Sequence, residues 1–156
     1  MKTLLIMVGK TVNKHFVAGI NGYCERISHY MPFDTLVIPE LKNTRKLTEE
    51  QQKVAEGELI LKQLQSTDMV VLLDEHGKEM RSVEFAQWIH QKQMNSRRLL
   101  LIIGGPYGFS SDVKKRANGE ISLSKMTFSH QMIRLLLVEQ IYRAHTILKN
   151  EPYHHE

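Results

Sequence analysis

The segment Leu99–Gly108 reads LLLIIGGPYG, in which five consecutive apolar residues run directly into a glycine-rich turn. A strand that is apolar at every position is buried on both faces, as in a parallel sheet covered by helices. Three other runs share this pattern, and a shorter one follows later in the chain: Leu4–Val8, Leu36–Ile38, Met69–Leu73 and Ile121–Leu123. Because longer amphipathic or polar stretches separate these runs, we predict an α/β fold with a mostly parallel sheet flanked by helices.

Helix-start signals lie between the predicted strands. Thr48 and Gln51 have the spacing of a capping box, which predicts a helix from there to about Leu64. Ser82 is predicted as the N-cap residue of another helix. The remaining helices are predicted at Phe16–Ser28, after Ser110–Asp112, and from about His130 to Lys149.

The composition indicates one soluble domain that spans residues 1–156. Apolar residues make up 42% and charged residues 24% of the chain, which is typical of globular proteins. Cys24 is the only cysteine, so an intrachain disulfide is excluded. No apolar run approaches the roughly 20 residues that cross a bilayer. The first residues lead directly into a strand-like run and lack the features of a secretory signal peptide. We therefore expect a cytoplasmic protein with no membrane association.

Positive charge is concentrated in the last third of the chain. The formal net charge is +4, and residues 114–149 contain seven basic and two acidic residues, a net of +5. Such a concentration suits a polyanionic partner such as a nucleic acid. A solvated basic face without a partner explains the same charge equally well, so the charge pattern leaves both interpretations open.

Three segments follow predicted strands and are candidates for a ligand site: Leu73–Lys78, Gly104–Gly108 and Leu123–Phe128. Ligands of open α/β sheets bind outside the carboxyl ends of the strands. The glycine residues let the backbone approach a ligand closely, and the last segment adds apolar side chains. A turn without a ligand and an ordinary buried loop are the respective alternatives for these two segments.

Several kinds of site are excluded by their spacing rules. The glycine segment lacks the Lys-Ser/Thr pair of a P-loop and the G-x-G-x-x-G pattern of dinucleotide-binding proteins, and no G-x-S-x-G elbow is present. The eight histidines are scattered, and the pair His154–His155 lacks a third ligand, so we expect no metal site. A nucleotide-dependent transferase that uses the glycine segment is a weaker alternative.

The final predicted helix is apolar around most of its circumference. A helix of this kind is buried on more than one side, which predicts a subunit interface as well as a core contact. Glu139 and Arg143 lie four residues apart on it, which is also the spacing of an ordinary helix ion pair. Tyr153 and His154 follow Pro152 in a polar tail, and a frayed terminus is the usual state of such a tail.

Four segments together closely resemble the RlmH family of the SPOUT superfamily, bacterial methyltransferases that modify a pseudouridine in large-subunit (23S) ribosomal RNA. They read IIGGPYG, SLSKMTFSHQMIR, VEQIYRAHTI and PYHHE, at Ile102–Gly108, Ser122–Arg134, Val138–Ile147 and Pro152–Glu156. The N-terminal MKTLLIMVGK and the strand VLLDEHGK are also similar to this family. The resemblance therefore covers the whole chain.

This resemblance implies a C-terminal trefoil knot, in which the strand-end segments converge and bind S-adenosylmethionine in a bent conformation. It also implies a homodimer formed through the knot region, and a reaction that requires no metal because the methyl donor carries its own leaving group. The positions that match the family's donor contacts are Leu73, Gly104, Leu123, Ser124, Lys125, Met126, Thr127 and Phe128.

The implied reaction is methyl transfer to N3 of a pseudouridine, on the assembled ribosome. On the RNA side we assign Arg143 to a phosphate or a base carbonyl, Glu139 to the orientation of Arg143, and Tyr153 and His154 to the target base. His130 is a weaker candidate. The tail is expected to become ordered over the partner subunit's site when RNA binds.

Affinity for the ribosomal RNA is expected to depend on salt, since a chain of this size has no separate RNA-binding domain. The alternative function is a knotted, dimeric module that binds RNA or the ribosome without catalysis. The basic residues that we assign to RNA binding are Lys114, Lys115, Arg116 and Lys125.

Overall fold

The computed structural model describes residues 2–156, which form an α/β fold of five strands and five α-helices. The elements in chain order are β1 (Lys2–Val8), α1 (Lys14–Ser28), β2 (Phe33–Ile38), a 3₁₀ turn (Thr44–Lys46), α2 (Glu49–Leu61), β3 (Met69–Glu79), α3 (Ser82–Met94), β4 (Arg98–Ile103), α4 (Ser111–Arg116), β5 (Gly119–Ser122) and α5 (Met132–Leu148).

The sheet has the strand order β2-β1-β4-β3-β5, and every pairing in it is parallel. Alternate residues of the central strands belong to two cores. Leu5 and Leu101 pack under α1, α3 and α5, whereas Ile6 and Ile102 pack under α2 and α4. The predicted parallel sheet with helices on both faces is confirmed, because uninterrupted apolar runs supply side chains to both cores at once.

Strand β3 extends six residues beyond the predicted end at Leu73. The register with β5 shifts after Leu73, and Lys78 then pairs with Ile121. At Gly77 a Cβ atom would lie 2.6 Å from the carbonyl carbon of Ile121, so only glycine allows this close approach. Strand β5 ends at Ser122, one residue before the predicted Leu123.

The helix caps confirm one prediction and correct another. Thr48 Oγ1 accepts from the Gln51 amide at 3.1 Å, and Gln51 Oε1 accepts from the Thr48 amide at 2.9 Å, as the capping box requires. The prediction of Ser82 as an N-cap is wrong, since Ser82 is already the first helical residue. The Glu84 carboxylate instead accepts from the Arg81 amide at 3.0 Å, and the Ser82 hydroxyl donates to Gln140 at 2.8 Å.

Arg134, at the start of α5, is fully buried and fixes that helix to the end of β1. Its guanidinium donates to the carbonyl oxygens of Val8 at 2.7 Å and Gly9 at 2.8 Å, and to Thr11 Oγ1 at 2.9 Å. These bonds compensate the buried charge, while burial lowers the pKa of Arg134 below its ordinary value. Arg134 therefore belongs to the core, although the sequence counts it with the basic residues of the last third.

No helix within residues 2–156 is long and apolar enough to cross a bilayer. In the same residues, no three His, Cys, Asp or Glu side chains are grouped so that they could hold a metal ion.

Candidate functional site

A cavity of about 490 Å³ lies at the carboxyl ends of β3, β4 and β5. The three segments singled out in the sequence converge on it: residues 73–76 after the apolar part of β3, residues 104–109 after β4, and residues 122–130 after β5 except Lys125. The cavity has a size usual for small-molecule sites and the position where open α/β sheets bind ligands.

Seven of the eight predicted donor contacts line this cavity, and one does not. Lys125 is exposed and is not among the residues that line the cavity. Met126 is 74% exposed and Phe128 is 39% exposed, so large apolar side chains stand uncovered at the mouth. Exposed apolar groups of this kind mark surfaces that a ligand or a partner covers. The lining residues are Leu73, Gly104, Leu123, Ser124, Met126, Thr127 and Phe128.

Short polar contacts shape the loop that follows β5. Ser122 Oγ donates to the carbonyl oxygen of Ser124 at 2.6 Å, and the Met126 amide donates to Ser124 Oγ at 2.9 Å. Thr127 Oγ1 donates to Glu75 Oε2 at 2.6 Å, which ties this loop to the second half of β3. The side chains of Ser122 and Ser124 thus bond backbone groups of the loop itself and fix its shape.

The glycine segment forms a tight turn on the opposite wall. Gly108 adopts a φ of +83°, which favours glycine, and its amide donates to the carbonyl oxygen of Gly105 at 3.2 Å. A Cβ atom on Gly104 would lie 3.0 Å from the ring of Phe109, which is itself buried. Glycine at position 104 therefore lets the Phe109 ring pack directly beneath the turn.

His130 also lines the cavity, at the end of the loop that leads into α5. Burial, together with the positive charge of Arg134, lowers the pKa of His130 below its ordinary value. The imidazole is therefore neutral at physiological pH, and it adds no positive charge to the cavity.

The four residues assigned to the RNA side form one hydrogen-bonded cluster on α5 and the tail. Arg143 Nε donates to Glu139 Oε1 at 3.0 Å, and Tyr153 OH donates to the same oxygen at 3.1 Å. The Arg143 guanidinium lies over the Tyr153 ring, 4.8 Å from its centre, and its Nη1 is 3.1 Å from His154 Nδ1. The bonds to Glu139 raise the pKa of Arg143, so the guanidinium is always charged.

The contact with Arg143 selects the tautomer of the neutral His154 ring. A guanidinium only donates, so His154 Nδ1 accepts and the ring proton lies on Nε2. Nε2 has no hydrogen-bond partner within residues 2–156, and Glu156 Oε1 is 3.6 Å away. The Nε2–H of His154 is therefore a buried donor without a partner among the described residues, beside the remaining N–H groups of Arg143.

Tyr23 and Tyr142 complete the surroundings of this cluster, and the sequence gives no signal for either. Tyr23 OH lies 3.4 Å from Tyr153 OH, and the Tyr142 ring meets the Tyr153 ring edge-on at 4.8 Å. Burial, Tyr23 and Glu139 together raise the pKa of Tyr153, so its hydroxyl keeps its proton. Tyr153 can donate a hydrogen bond or stack on a base, but it is a poor proton acceptor.

The tail is folded back on its own chain, which differs from a frayed terminus. Tyr30 OH donates to Glu151 Oε2 at 2.6 Å, and Arg81 Nη2 donates to Glu156 Oε1 at 3.1 Å. The tail thus bridges the end of α1 and the start of α3. That the tail orders over the partner subunit's site when RNA binds stays a prediction.

The cluster and the cavity are separated along α5. Ile133 lines the cavity, whereas Arg143 lies ten residues further along the helix, about 15 Å away at the rise of an α-helix. None of the four cluster residues lines the cavity. The two groups of predicted site residues are therefore each assembled within one chain, but they are not brought together there.

One basic residue assigned to RNA is used inside the fold. Arg116 Nη2 donates to the carbonyl oxygens of Gln65 at 2.7 Å and Asp68 at 3.2 Å. Lys114 and Lys115 are exposed, and Lys114 also lines the cavity. The basic surface next to the cavity is therefore formed by these two lysines more than by Arg116.

Comparisons with known proteins match the chain over its full length. The family model described as predicted SPOUT methyltransferase matches residues 1–154. Proteins named ribosomal RNA large subunit methyltransferase H from Bacteroides fragilis and Phocaeicola vulgatus are 66% and 63% identical to the chain. The protein of the same name from Flavobacterium johnsoniae is 53% identical, and each of these alignments covers 100% of both chains.

Proposed function

The chain belongs to the SPOUT methyltransferase family, within it to the ribosomal RNA large subunit methyltransferase H group, and we propose that it methylates N3 of a pseudouridine in 23S ribosomal RNA with S-adenosylmethionine as methyl donor. The family implies a trefoil knot in the C-terminal part of the chain. We place the reaction in the bacterial cytoplasm, on the assembled ribosome. The observation that carries the proposal is the convergence of three strand-end segments on one cavity in a chain of this family.

The cavity suits a nucleoside that carries a sulfonium group. Its walls combine apolar side chains, Leu73 and Phe128 among them, with backbone groups of the glycine turn and of the loop after β5. Backbone donors and acceptors recognise a purine base and a ribose, while the apolar walls exclude water. When bound, the sulfonium supplies both the methyl group and a neutral thioether as leaving group, so the residues present need not supply a metal.

Methyl transfer to N3 is an in-line displacement. The N3 proton passes to solvent water, the N3 lone pair forms the new N–C bond, and the S–C bond breaks. The chain therefore has two tasks, which are to align N3 with the methyl group and to stabilise the negative charge that deprotonation puts on the base. Arg143 is a donor suited to a base carbonyl or to a neighbouring phosphate, and the buried Nε2–H of His154 would join it once the tail moves aside.

Glu139 and Tyr153 hold those donors in place. Glu139 accepts bonds from Arg143 and Tyr153, which fixes the plane of the guanidinium and the direction of its free N–H groups. His154 Nδ1 is already used by Arg143, so we assign His154 to hydrogen-bond donation and not to proton removal.

We propose that a homodimer completes the site, with the cavity of one protomer facing the Arg143 cluster of its partner. The separation of the two groups within one chain supports this arrangement, as do the uncovered Met126 and Phe128 at the mouth of the cavity. The apolar circumference of α5 offers the surface for such a contact.

The activity is tested with labelled S-adenosylmethionine and ribosomes, separated subunits or naked ribosomal RNA that lack the modification. We expect incorporation into 23S ribosomal RNA to be greatest on whole ribosomes, at a pseudouridine located by mass spectrometry. Calorimetry with the methyl donor separates this function from a binding module without catalysis. Absence of donor binding, or of incorporation into every RNA substrate, would contradict the proposal.

The shared site is tested by mixing two inactive variants, Arg143→Ala and Gly104→Val. After random exchange of protomers, half of the dimers are mixed and each mixed dimer holds one intact composite site. Activity should therefore return to about a quarter of the wild-type value. If each protomer carried a complete site of its own, the mixture would stay inactive.

A further inference from the structure

Glu56 on α2 is a buried carboxylate that lies directly behind the glycine turn of the cavity. It is 5% exposed, and a Cβ atom on Gly105 would lie 2.6 Å from its Oε1 and 3.0 Å from its Oε2. The next residue, Gly57, approaches α4 so closely that a Cβ atom there would collide with Ser110 Oγ. Helix α2 is therefore pressed against both ends of residues 105–110, and Glu56 is separated from the cavity by one layer of backbone.

The fold gives this carboxylate little compensation. Gln52 Nε2 donates to Glu56 Oε2 at 3.2 Å, whereas Oε1 faces Gly105, accepts no hydrogen bond from residues 2–156 and keeps a small exposure to solvent. No Lys, Arg or His among these residues forms a salt bridge with it. Burial raises the pKa of Glu56, and the nearby Glu40 raises it further. A buried charge without a cation is costly, and its cost falls when a cation arrives.

The two nucleosides that must pass through the proposed site differ in charge. S-adenosylmethionine carries a positive sulfur, whereas its demethylated product, S-adenosylhomocysteine, carries a neutral one. The lining supplies positive side chains at Lys53 and Lys114. An anion behind the glycine turn would offset the repulsion between these lysines and the positively charged donor. It would add nothing to the binding of the neutral product.

We propose that Glu56 is a specificity-determining residue that favours the sulfonium donor over the neutral thioether product. The proposal rests on the proposed function, because it assumes that both nucleosides bind in the cavity. Its consequence is that loss of the methyl group weakens binding, which promotes exchange of product for fresh donor. A mere packing role for Glu56 would affect the two nucleosides equally.

Two other carboxylates border the cavity and must be distinguished from Glu56. Asp74 Oδ1 accepts from the amide of His76 at 2.8 Å and lies 3.1 Å from its Nδ1, so its charge is already engaged. The side chain of Glu75 is 45% exposed, so water screens it. Glu56 is the buried member of the three, where a charge acts most strongly on a neighbour.

The test is calorimetric titration of the dimeric protein with S-adenosylmethionine and with S-adenosylhomocysteine. Glu56→Gln removes the charge and keeps the shape, and Glu58→Gln is the matched control on the exposed side of the same helix. We expect Glu56→Gln to lower donor affinity about tenfold relative to product affinity, the order of effect for two unit charges about 12 Å apart at an effective dielectric constant of about 20. Glu58→Gln should leave the ratio of the two affinities unchanged.

The possible outcomes each decide the proposal. An equal loss of both affinities, or an unchanged ratio, overturns it, as does a change of the ratio in Asp74→Asn but not in Glu56→Gln. If Glu56→Gln fails to fold, Glu56→Asp is used instead, because it withdraws the charge from Gly105 by one methylene. It should lower the ratio of donor affinity to product affinity by a smaller factor, and an unchanged ratio in this variant also overturns the proposal. If the wild-type protein binds neither nucleoside, the proposed function itself fails.

Discussion

Acidification should destabilise the protein through His145, a histidine buried on α5. Its ring is 7% exposed, stacks on Tyr30 with ring centres 5.4 Å apart, and has an Nε2 without a hydrogen-bond partner in residues 2–156. Burial, with smaller contributions from the positive charges of His90 and Lys149, lowers the pKa of His145 to about 4. The native state therefore holds a neutral ring, while the unfolded chain takes up a proton near pH 6.5.

The sign and size of the effect follow from this difference. Above pH 6.5 neither state binds the proton, and His145 makes no pH-dependent contribution. Below pH 6.5 only the unfolded state binds it, so the free energy of unfolding falls by about 1.4 kcal/mol for each pH unit until about pH 4. At pH 5 the loss amounts to about 2 kcal/mol.

The measurement is urea unfolding at pH 7.5 and pH 5, at one fixed protein concentration because the stability of the proposed dimer would depend on concentration. His145→Phe keeps a flat ring against Tyr30 and removes the titrating group, so it should lose about 2 kcal/mol less than the wild type over this interval. Other acidic and basic groups titrate in both proteins and cancel in the comparison. Parallel losses in the two proteins would refute the reasoning.

Three further outcomes are expected. Arg143→Ala should leave the affinity for S-adenosylmethionine within about twofold, since Arg143 does not line the cavity, while methyl transfer to ribosomes falls at least about 100-fold. Equal losses in calorimetry and in the transfer assay would contradict this assignment. Gly104→Val should abolish donor binding and lower the free energy of unfolding by about 1–3 kcal/mol, because its side chain displaces the Phe109 ring. Unchanged donor affinity in the folded variant would show that the donor does not bind in this cavity. Lys114→Ala should reduce the salt dependence of ribosome binding by about one phosphate contact. Arg116→Ala should instead lower the melting temperature, because two carbonyl oxygens lose a donor. The reverse pattern in the binding and melting curves would show that the roles of these two residues are exchanged.

The strands were predictable because their signal is local. An apolar run such as Leu99–Ile103 must be buried on both faces, wherever its neighbours lie. The second half of β3 was missed because DEHGKE is polar, and only its pairing with β5 makes it a strand. Ser82 failed as an N-cap for a related reason, since the carboxylate of Glu84 bonds the amide of Arg81 and the serine is free to reach Gln140 on α5.

The candidate site also has one part that the sequence predicts and another part that it does not. Gly104 and Leu123–Phe128 follow strands and match a known family, so the sequence predicts their meeting at one cavity. Glu56 and Tyr23 belong to helices whose sequences are ordinary, and their importance depends on what faces them across the fold. The fate of a polar side chain is decided by tertiary packing, which residue spacing along one helix does not contain.

The bonds of Arg134 have a consequence for how the chain reaches its native state during synthesis. Its guanidinium donates to the carbonyl oxygen of Gly9 across 125 residues of sequence. The carbonyl groups at the end of β1 therefore lack this donor until α5 has packed. Contacts of such long range close slowly, because loop entropy is lost before they form. Ribosomes deliver the N-terminus first. A nascent chain can therefore build its first strands early, but the pocket closes only after translation has delivered residue 134 and the helix it begins.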